Sequence, residues 1–411
     1  MSAPVSVILG PGPYGDRMVE ALLEARLLHQ VVRYFPHFRL ERADPGRGRL
    51  ETERDLRWHG VLVRGLWGLW RRLPHLGRRE TPRGPLFALV DLLARAHLGP
   101  VRLLIGWSQV SLHCLRAAAA AGARTLLEHP TAHIDAWMDL ARAECARHRV
   151  STAYSLLPPC LVRRMRAECA AAQAVCVPSS YARSTLLGAG VPAARIHVVP
   201  LGVDADRFAP APPSPVRRPF RVLYVGRLEL LKGLPYLLRA FARLEVPEAE
   251  LWLVGRPLPE MLPWLDRLPP GLLIRRLGPL PQPALPAVYR QVDVLVLPTL
   301  CDSFGLVLLE AMAAGLPVIT TPHSAGPDLI TDGVEGYITP IRDEEALRQR
   351  LRELARDPER RQVMGRCGRR RVLEGYTWAH YAARVRDLAT RLLSCEGDSA
   401  ALRAKKGLSK P

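Results

Sequence analysis

The chain has 411 residues and a formal net charge of +19, and lysine stands only at positions 232, 405, 406 and 410, so arginine carries nearly all of the positive charge. This length predicts two or three domains that each bury a core of their own. No apolar run reaches the roughly 18 residues of a membrane-spanning helix, and residues 1–15 lack the pattern of a signal peptide. Without a zinc-finger or RRM pattern the charge is weak evidence for nucleic acid, and we expect no such partner.

The eight cysteines are scattered along the chain and form no Cys-x-x-Cys pair. This spacing argues against a metal site and against a compact disulfide framework, and it fits a reduced cytosol. We therefore predict a cytoplasmic protein without a bound metal. Peripheral contact between a basic face and an anionic membrane remains open as an alternative location.

The chain begins with a predicted strand, Val5–Leu9, which is followed by the glycine loop Gly10-Pro-Gly12-Pro-Tyr-Gly15 and an amphipathic helix over residues 16–28. Strand, glycine loop and helix in this order allow the backbone to approach a phosphate or a sugar closely. The spacing is not the dinucleotide fingerprint, so a plain strand-to-helix turn explains the pattern equally well.

Residues 39–103 carry many arginines and fewer acids. The segment Val61–Leu73 places tryptophans beside arginines, which suits a membrane interface, and residues 86–98 are apolar on one side. Helices that pack on a core and leave a basic face in solvent explain the same pattern. Both interpretations stay open.

Strands are predicted over residues 101–105 and 124–127, with a helix between them, and the second strand leads into His129 and His133. A histidine directly after a buried strand can face a ligand, although a loop histidine is usually solvated. Helical sequence over residues 135–172, broken near two prolines, follows before the next strand.

A proline-rich stretch over residues 209–219 predicts a connection between two domains. The strand Phe220–Val225 follows it, and then come Gly226-Arg227 and Lys232-Gly233 before a new helix. Glycine allows a sharp turn at the end of a strand, and an arginine and a lysine five residues apart can converge on one diphosphate. A solvated pair of cations is the alternative.

A buried strand over residues 292–297, a loop, a helix over 304–314 and a second strand over 317–320 form a predicted parallel crossover. The loop then lies at the carboxyl end of a strand and over a helix N-terminus, where free N–H groups favour an anion. Asp302 and Glu310 flank this position, and carboxylates accept hydrogen bonds from hydroxyl groups. A ligand with a sugar and a phosphate would satisfy the stretch, whereas a capping Asp302 and a solvated Glu310 explain it equally well.

The stretch from Asp302 through Phe304-Gly305 to Glu310, continued by Ala-Met-Ala-Ala-Gly-Leu-Pro-Val-Ile, resembles the EX7E signature of GT-B glycosyltransferases of family 4, the retaining nucleotide-sugar enzymes. Asp302 stands where a glutamate is usual, which keeps the charge and changes the reach. Residues 177–208 and 225–233 also resemble passages of this family. The resemblance covers nearly the whole chain and is thin over residues 35–100, where the family binds its acceptor.

The resemblance implies an α/β fold of the GT-B type, with two Rossmann-like domains that face each other across a cleft. Residues 1–203 would form the N-terminal, acceptor-binding domain, and residues 204–375 the C-terminal, nucleotide-sugar-binding domain. Residues 376–395 would form a helix that crosses back to the N-terminal domain, and residues 396–411 a disordered tail.

The resemblance also implies roles for the candidate residues. Arg227, Lys232 and the helix N-terminus would stabilise the departing diphosphate. Glu310 would bind the nucleotide ribose, and Asp302 would bind hydroxyl groups of the donor sugar. The further donor-binding candidates are Gly226, Ser303, Phe304, Gly305 and Leu306, together with Gly12 and Gly15 of the glycine loop.

Among the histidines, the resemblance places His129 beside the anomeric carbon, with His133 as the fallback. Asp204-Ala-Asp206 spells a DxD, which some glycosyltransferases use to hold Mn²⁺. Its place in a Gly-Val-Asp hinge passage argues against that role. We therefore expect no metal and no cofactor, and the nucleotide sugar acts as the donor substrate.

The resemblance, taken with these patterns, implies a metal-independent enzyme that moves a hexose from a nucleoside-diphosphate sugar to a hydroxyl of a sugar or lipid-linked acceptor, with retention and attack on the front face. The product would be a cell-surface polysaccharide, a glycolipid or another glycoconjugate. A sugar-nucleotide epimerase or a phosphorylase would share the fold. A basic scaffold on a membrane or on nucleic acid is a further alternative, but it gives no role to the paired cations and carboxylates.

Overall fold

The computed structural model describes residues 4–9, 14–33, 39–44, 49–52, 83–151, 153–210 and 218–394. Four predicted features lie wholly or mostly outside these residues, namely most of the glycine loop with Gly12, the tryptophan-arginine segment Val61–Leu73, most of the proline-rich connection over residues 209–219, and the tail over 396–411. The described residues alternate strands with helices, which confirms the predicted α/β class.

The first half of the chain forms an eight-stranded sheet. Its strands are β1 (Val5–Leu9), β2 (Leu28–Arg33), β3 (Arg39–Asp44), β4 (Arg49–Thr52), β5 (Leu103–Trp107), β6 (Arg124–Glu128), β7 (Ala174–Val177) and β8 (Ile196–Val198). Their order is β4-β3-β2-β1-β5-β6-β7-β8, and only β3 and β4 pair antiparallel to their neighbours. Sequence analysis predicted no strand over residues 28–52, because charged residues interrupt the apolar pattern of β3 and β4, and His29 and Gln30 interrupt that of β2.

Helices of the described residues pack against this sheet. They are α1 (Gly15–Glu24), α2 (Arg83–Ala96), α3 (Leu112–Ala120), α4 (Ile134–Arg147), α5 (Pro159–Ala171) and α6 (Ser180–Gly188). The predicted break in the helical stretch over residues 135–172 is confirmed, because α4 ends at Arg147 and α5 begins at Pro159. We call β1–β8 and these helices the first lobe.

The second half of the chain forms a six-stranded sheet in which all neighbouring strands are parallel. Its strands are β9 (Arg221–Val225), β10 (Glu250–Val254), β11 (Leu273–Gly278), β12 (Val294–Leu297), β13 (Val318–Thr320) and β14 (Gly336–Ile338). The order is β11-β10-β9-β12-β13-β14. Its helices are α7 (Leu234–Ala242), α8 (Leu262–Asp266), α9 (Leu285–Tyr289), α10 (Leu306–Ala313), α11 (Gly326–Leu329), α12 (Glu344–Arg356) and α13 (Pro358–Gly375). We call this unit the second lobe.

The last helix, α14 (Trp378–Ser394), crosses from the second lobe back to the first. The ring of Tyr381 lies 6.1 Å from the ring of Tyr14, centroid to centroid, and the Arg102 guanidinium donates a hydrogen bond of 3.2 Å to the Leu393 carbonyl. The prediction of a crossing C-terminal helix is therefore confirmed.

The two connections between the lobes lie side by side. The Val203 N–H donates to the Tyr376 carbonyl over 2.9 Å. A Cβ on Gly202 would lie 2.5 Å from the Thr377 carbonyl oxygen, so the backbones approach closely only because this residue is glycine. No helix in the described part of the chain is long and apolar enough to cross a membrane.

Candidate active site

The loop between β12 and α10 forms the centre of the candidate site. Gly305 precedes α10 with a φ of +79°, and a Cβ there would lie 2.7 Å from a Leu297 methyl group, so glycine allows both the turn and the packing. The Asp302 carboxylate accepts a hydrogen bond of 3.2 Å from the Phe304 N–H. The helix begins at Leu306 rather than at the predicted Phe304, because this loop uses the intervening residues to turn. The first N–H groups of α10 have no intrahelical acceptor, as at any helix start.

Lys232 lies directly against this loop. Its ammonium is 2.6 Å from the Asp302 carboxylate, and both side chains are largely buried. The adjacent Gly233 has a φ of +70°, and a Cβ on it would lie 1.8 Å from the Pro298 carbonyl oxygen. Glycine therefore lets the turn that carries Lys232 rest on the carboxyl end of β12. The structure thus brings Lys232 and Asp302, predicted from separate motifs, into one ion pair.

Arg227 lies on the same connection between β9 and α7 but has different partners. Its guanidinium forms an ion pair of 2.9 Å with Glu229 and stacks over the Tyr154 ring at 5.0 Å. Gly226 has a φ of +147°, and its carbonyl would lie 1.8 Å from a Cβ on Gly255. The side chain of Arg227 is 42% exposed, so a ligand can reach its guanidinium. Its convergence with Lys232 on a diphosphate stays a prediction.

Glu310 is buried in α10, with 6% of its surface exposed. The Tyr289 hydroxyl donates a hydrogen bond of 2.8 Å to one oxygen of its carboxylate. Burial raises the pKa of Glu310, and the Tyr289 hydroxyl and the nearby Arg207 oppose this rise. The alternative of a solvated Glu310 is therefore wrong. No sequence pattern indicated Tyr289, because it lies on a short helix in another part of the chain.

His129 follows β6 directly, as predicted, and is fully buried. The backbone N–H of His129 donates to the Cys176 carbonyl over 2.8 Å. Neither nitrogen of its imidazole ring has a hydrogen-bond partner among the described residues. Burial, with a smaller effect from His133, lowers the pKa of the His129 imidazole to about 4. The imidazole is therefore neutral at pH 7 and can exchange hydrogen bonds with a hydroxyl group.

His133, the fallback, has a structural role in α4. Its Nδ1 accepts a hydrogen bond of 3.3 Å from the Asp135 N–H and so caps the helix. Its own N–H donates to the Thr185 hydroxyl over 2.9 Å. These bonds explain the position of His133 without a ligand, whereas nothing comparable engages the ring of His129.

The two lobes meet at the candidate site. The Ser303 hydroxyl in the β12–α10 loop donates to the carbonyl of Pro130, the residue after His129. The Ser179 hydroxyl at the start of α6 donates in turn to the Ser303 carbonyl. The Ser179 hydroxyl also accepts a hydrogen bond from the Ala182 N–H and so caps α6. These bonds bring the His129 loop and the Asp302 loop together.

The glycine loop is described only at its end. Gly15 starts α1 and is buried, and a Cβ on it would lie 2.9 Å from a Leu9 methyl group, so its small size permits close helix–strand packing. Tyr14 donates a hydrogen bond of 3.0 Å to the buried carboxyl of Glu128, the residue before His129. Burial raises the pKa of Glu128 to about 7. Sequence analysis did not identify this pair.

The predicted DxD lies at the connection between the lobes. Asp204 accepts a hydrogen bond of 3.0 Å from the Arg207 N–H, which is a local turn. Over the described ranges, no group of three or more His, Cys, Asp or Glu side chains is placed to hold a metal ion. The absence of a metal in the reaction stays an expectation.

Two family profiles match the chain. One described as Glycosyltransferase Family 4 matches residues 25–207, and one described as Glycosyl transferases group 1 matches residues 219–357. The two matches together span most of both lobes. Each includes candidate residues, with His129 in the first match and Lys232, Asp302 and Glu310 in the second.

Curated relatives and solved structures agree with these profiles. The chain is 29% identical over 292 residues to the GDP-mannose-dependent alpha-(1-6)-phosphatidylinositol monomannoside mannosyltransferase of Mycolicibacterium smegmatis, across 66% of the chain and 71% of the relative. It is 32% identical over 211 residues to the D-inositol 3-phosphate glycosyltransferase of Kribbella flavida, across 46% of the chain and 49% of the relative, so it spans about half of that protein. The structure of sucrose-phosphate synthase from Thermosynechococcus elongatus superposes with a TM-score of 0.65 at 19% identity, across 96% of the chain and all of that structure, and this shows the fold.

Proposed function

This chain belongs to the family 4 glycosyltransferases with a GT-B fold, and from this premise we propose that it moves a hexose from a nucleoside-diphosphate sugar to a hydroxyl acceptor with retention of configuration. One observation carries the proposal. The Lys232–Asp302 ion pair lies at the N-terminus of α10, and the bond from Ser303 to Pro130 brings it next to the buried His129. Cation, helix N-terminus, carboxylate and neutral imidazole thus gather where the lobes meet.

The leaving group explains the cationic side of the site. When the bond between the anomeric carbon and the phosphate oxygen breaks, negative charge grows on the diphosphate. In this proposal the ammonium of Lys232 and the first N–H groups of α10 lie beside the developing charge and stabilise it. Such groups stabilise the charge without a metal ion. Arg227, on the exposed rim, adds a second cation in this proposal.

The acidic side of the site would hold the hydroxyl groups. Tyr289 occupies one oxygen of the Glu310 carboxylate, so the carboxylate has a defined orientation for a ribose hydroxyl on the other. Asp302 would exchange its bond with Lys232 for bonds to the donor sugar. The neutral imidazole of His129 would meet the sugar near the reacting carbon, from the first lobe.

The relatives suggest the first substrates to test. The mannosyltransferase relative is GDP-mannose-dependent and acts on a phosphatidylinositol monomannoside, and the second relative acts on D-inositol 3-phosphate. We therefore propose GDP-mannose as the first donor and an inositol-containing lipid or inositol phosphate as the first acceptor. A lipid acceptor would bring the chain to a membrane surface.

The proposal is tested in two steps. Thermal unfolding is followed with UDP-, GDP-, ADP- and TDP-sugars, and the bound donor should raise the Tm. Each stabilising donor is then incubated with candidate acceptors, and the products are identified by mass spectrometry and by the anomeric proton signals. An α-linked product from an α-linked donor supports the proposal. An epimerised nucleotide sugar would contradict the proposal and indicate an epimerase. A free sugar phosphate formed with inorganic phosphate would contradict it and indicate a phosphorylase.

A further inference from the structure

A groove of about 600 Å³ lies between the lobes, among residues that the candidate active site does not use. The first lobe contributes the chain just after α4, with His148, Arg149 and Val150. The second lobe contributes α7, α8 and the turn before α8. The residues that carry the inference are Arg149, Leu238, Glu260, Trp264, Arg267 and Leu268.

Glu260 supplies the first observation. It lines the groove with 7% of its surface exposed, and its Oε1 is buried without a hydrogen-bond partner among the described residues. A buried acceptor without a donor is unfavourable, so such atoms are rare in folded proteins. Burial correspondingly raises the pKa of the Glu260 carboxyl. A ligand hydroxyl that donates to the Glu260 carboxylate from the groove would compensate for this missing bond.

The arginines of the groove supply the second observation. Arg239 is engaged, since it forms an ion pair of 2.7 Å with Glu344 and stacks over Trp264 at 4.7 Å. Within the described ranges, Arg149 and Arg267 have neither an ion pair nor a side-chain hydrogen bond. Two exposed guanidinium groups at the rim of one groove suit an anion with several oxygens, because their N–H donors match phosphate geometry.

The backbone conformation of Arg149 provides a control for testing its role. The residue follows the end of α4 with a φ of +54°, in the left-handed region where glycine is the usual residue. Arg26 occupies the same kind of position after α1, with a φ of +57°, and lies outside the groove. An arginine at either position is tolerated at a small conformational cost. Arg26 therefore provides a matched control for any change at Arg149.

We propose that this groove is a second ligand site, distinct from the candidate active site, and that it binds a sugar phosphate or polyol phosphate. The phosphate lies between Arg149 and Arg267, and a hydroxyl group donates to Glu260. The carbon skeleton covers the apolar floor formed by Leu238 and Leu268. Charge, buried acceptor and apolar floor together select a phosphate that also carries hydroxyl groups, rather than inorganic phosphate or a neutral sugar.

The same site would couple the ligand to the contacts between the lobes. His148, which lines the groove, lies 3.2 Å from the Glu144 carboxylate of the first lobe. Glu144 in turn accepts hydrogen bonds from Tyr236 at 2.7 Å and Arg342 at 2.6 Å, both in the second lobe. A ligand that contacts both lobes at the groove therefore favours the state in which these bonds form. We expect it to lower the KM for the donor rather than to raise kcat.

The test measures binding of mannose 6-phosphate by isothermal titration calorimetry, with inorganic phosphate and mannose as separate arms. Mannose 6-phosphate should bind, and both other probes should bind at least about tenfold more weakly, since each lacks one set of contacts. The variants are Arg149→Gly, which also removes the left-handed strain, and Arg267→Ala. Each variant should lower the affinity for mannose 6-phosphate by about tenfold or more. Arg26→Gly should leave the affinity unchanged.

Lys232→Ala separates this site from the active site. It should keep the affinity for mannose 6-phosphate, because Lys232 does not line the groove. Loss of binding in Lys232→Ala, or equal affinity for inorganic phosphate alone, would overturn the inference. So would unchanged affinity in a folded Arg149→Gly variant. These outcomes do not depend on the proposed sugar transfer, which is measured separately by product formation.

Discussion

The two lobes prepare their candidate residues in different ways. In the second lobe each key side chain already has a partner, as with Lys232 on Asp302 and Tyr289 on Glu310. The turn that holds Lys232 is also fixed by the close contact of Gly233 with β12. This lobe therefore presents a site that its own contacts organise before a ligand arrives.

The first lobe instead presents buried polar atoms without partners. The Ser108 hydroxyl, both ring nitrogens of His129 and the Thr131 hydroxyl have no hydrogen bond among the described residues. All three residues follow β5 or β6, at the edge of the sheet where the lobes meet. The comparison suggests that the second lobe fixes the donor and that a ligand completes the first lobe's hydrogen bonds.

The largest effect is expected for Lys232→Ala in the second lobe. Removal of the cation should lower kcat/KM by about 100-fold or more, as for the loss of one oxyanion-hole donor. Arg243→Ala is the control, because it removes an exposed cation that pairs with Glu344 on α12. Initial rates of sugar transfer measure both variants. Near-normal turnover in Lys232→Ala would remove Lys232 from the mechanism.

Gly233→Ala tests whether the second lobe is preorganised. An alanine Cβ would collide with the Pro298 carbonyl and force a left-handed alanine, so stability should fall by roughly 2 kcal/mol or more. Gly190→Ala is the matched control, since Gly190 also has a positive φ but no atom near its Cβ. The free energy of unfolding of Gly190→Ala should fall by only about 1 kcal/mol. Denaturant unfolding distinguishes the two, and equal losses would show that the contact with β12 is unimportant.

His129→Leu tests the first lobe by moving stability and activity in opposite directions. The buried ring nitrogens have no partners, so an apolar side chain of similar size should leave the Tm unchanged or raise it. Sugar transfer should fall by roughly tenfold or more if the imidazole meets the sugar. In His133→Ala the loss of the helix cap should instead lower stability by about 1 kcal/mol. A clear drop in Tm for His129→Leu, with activity retained, would contradict the comparison.

An effect on stability that depends on pH, rather than on activity, is expected from the buried carboxyl of Glu128. Folding raises its pKa to about 7, so its proton is held more tightly in the folded state, and this stabilisation is lost as the pH rises through about 7. Glu128→Gln removes that titration while it keeps an acceptor for Tyr14. The Tm of the variant relative to the parent should therefore rise between pH 5 and pH 8. Thermal unfolding at four pH values measures this difference in Tm. A difference that stays the same at all four pH values would show that folding does not change the pKa of Glu128.

Much of the fold and of the second lobe's site was predictable from local pattern. Alternating apolar strands and helices predicted both sheets' central strands, and the stretch from Asp302 to Glu310 predicted a strand–loop–helix site. Strands β2–β4 were missed because polar and charged residues mask their apolar period. Arg227 pairs with its near neighbour Glu229, but its stacking on Tyr154, 73 positions earlier in the chain, depends on the tertiary structure.

The sequence by itself determined the elements and the residue types that the candidate site contains, because strand period, glycine positions and helix starts are local properties of the chain. Tertiary structure alone decided which side chains meet. It paired Lys232 with Asp302 and Tyr289 with Glu310, and it joined Ser303 to Pro130 across the lobes. These contacts join residues up to 173 positions apart, and only the packing of the two sheets brings such residues within hydrogen-bond distance.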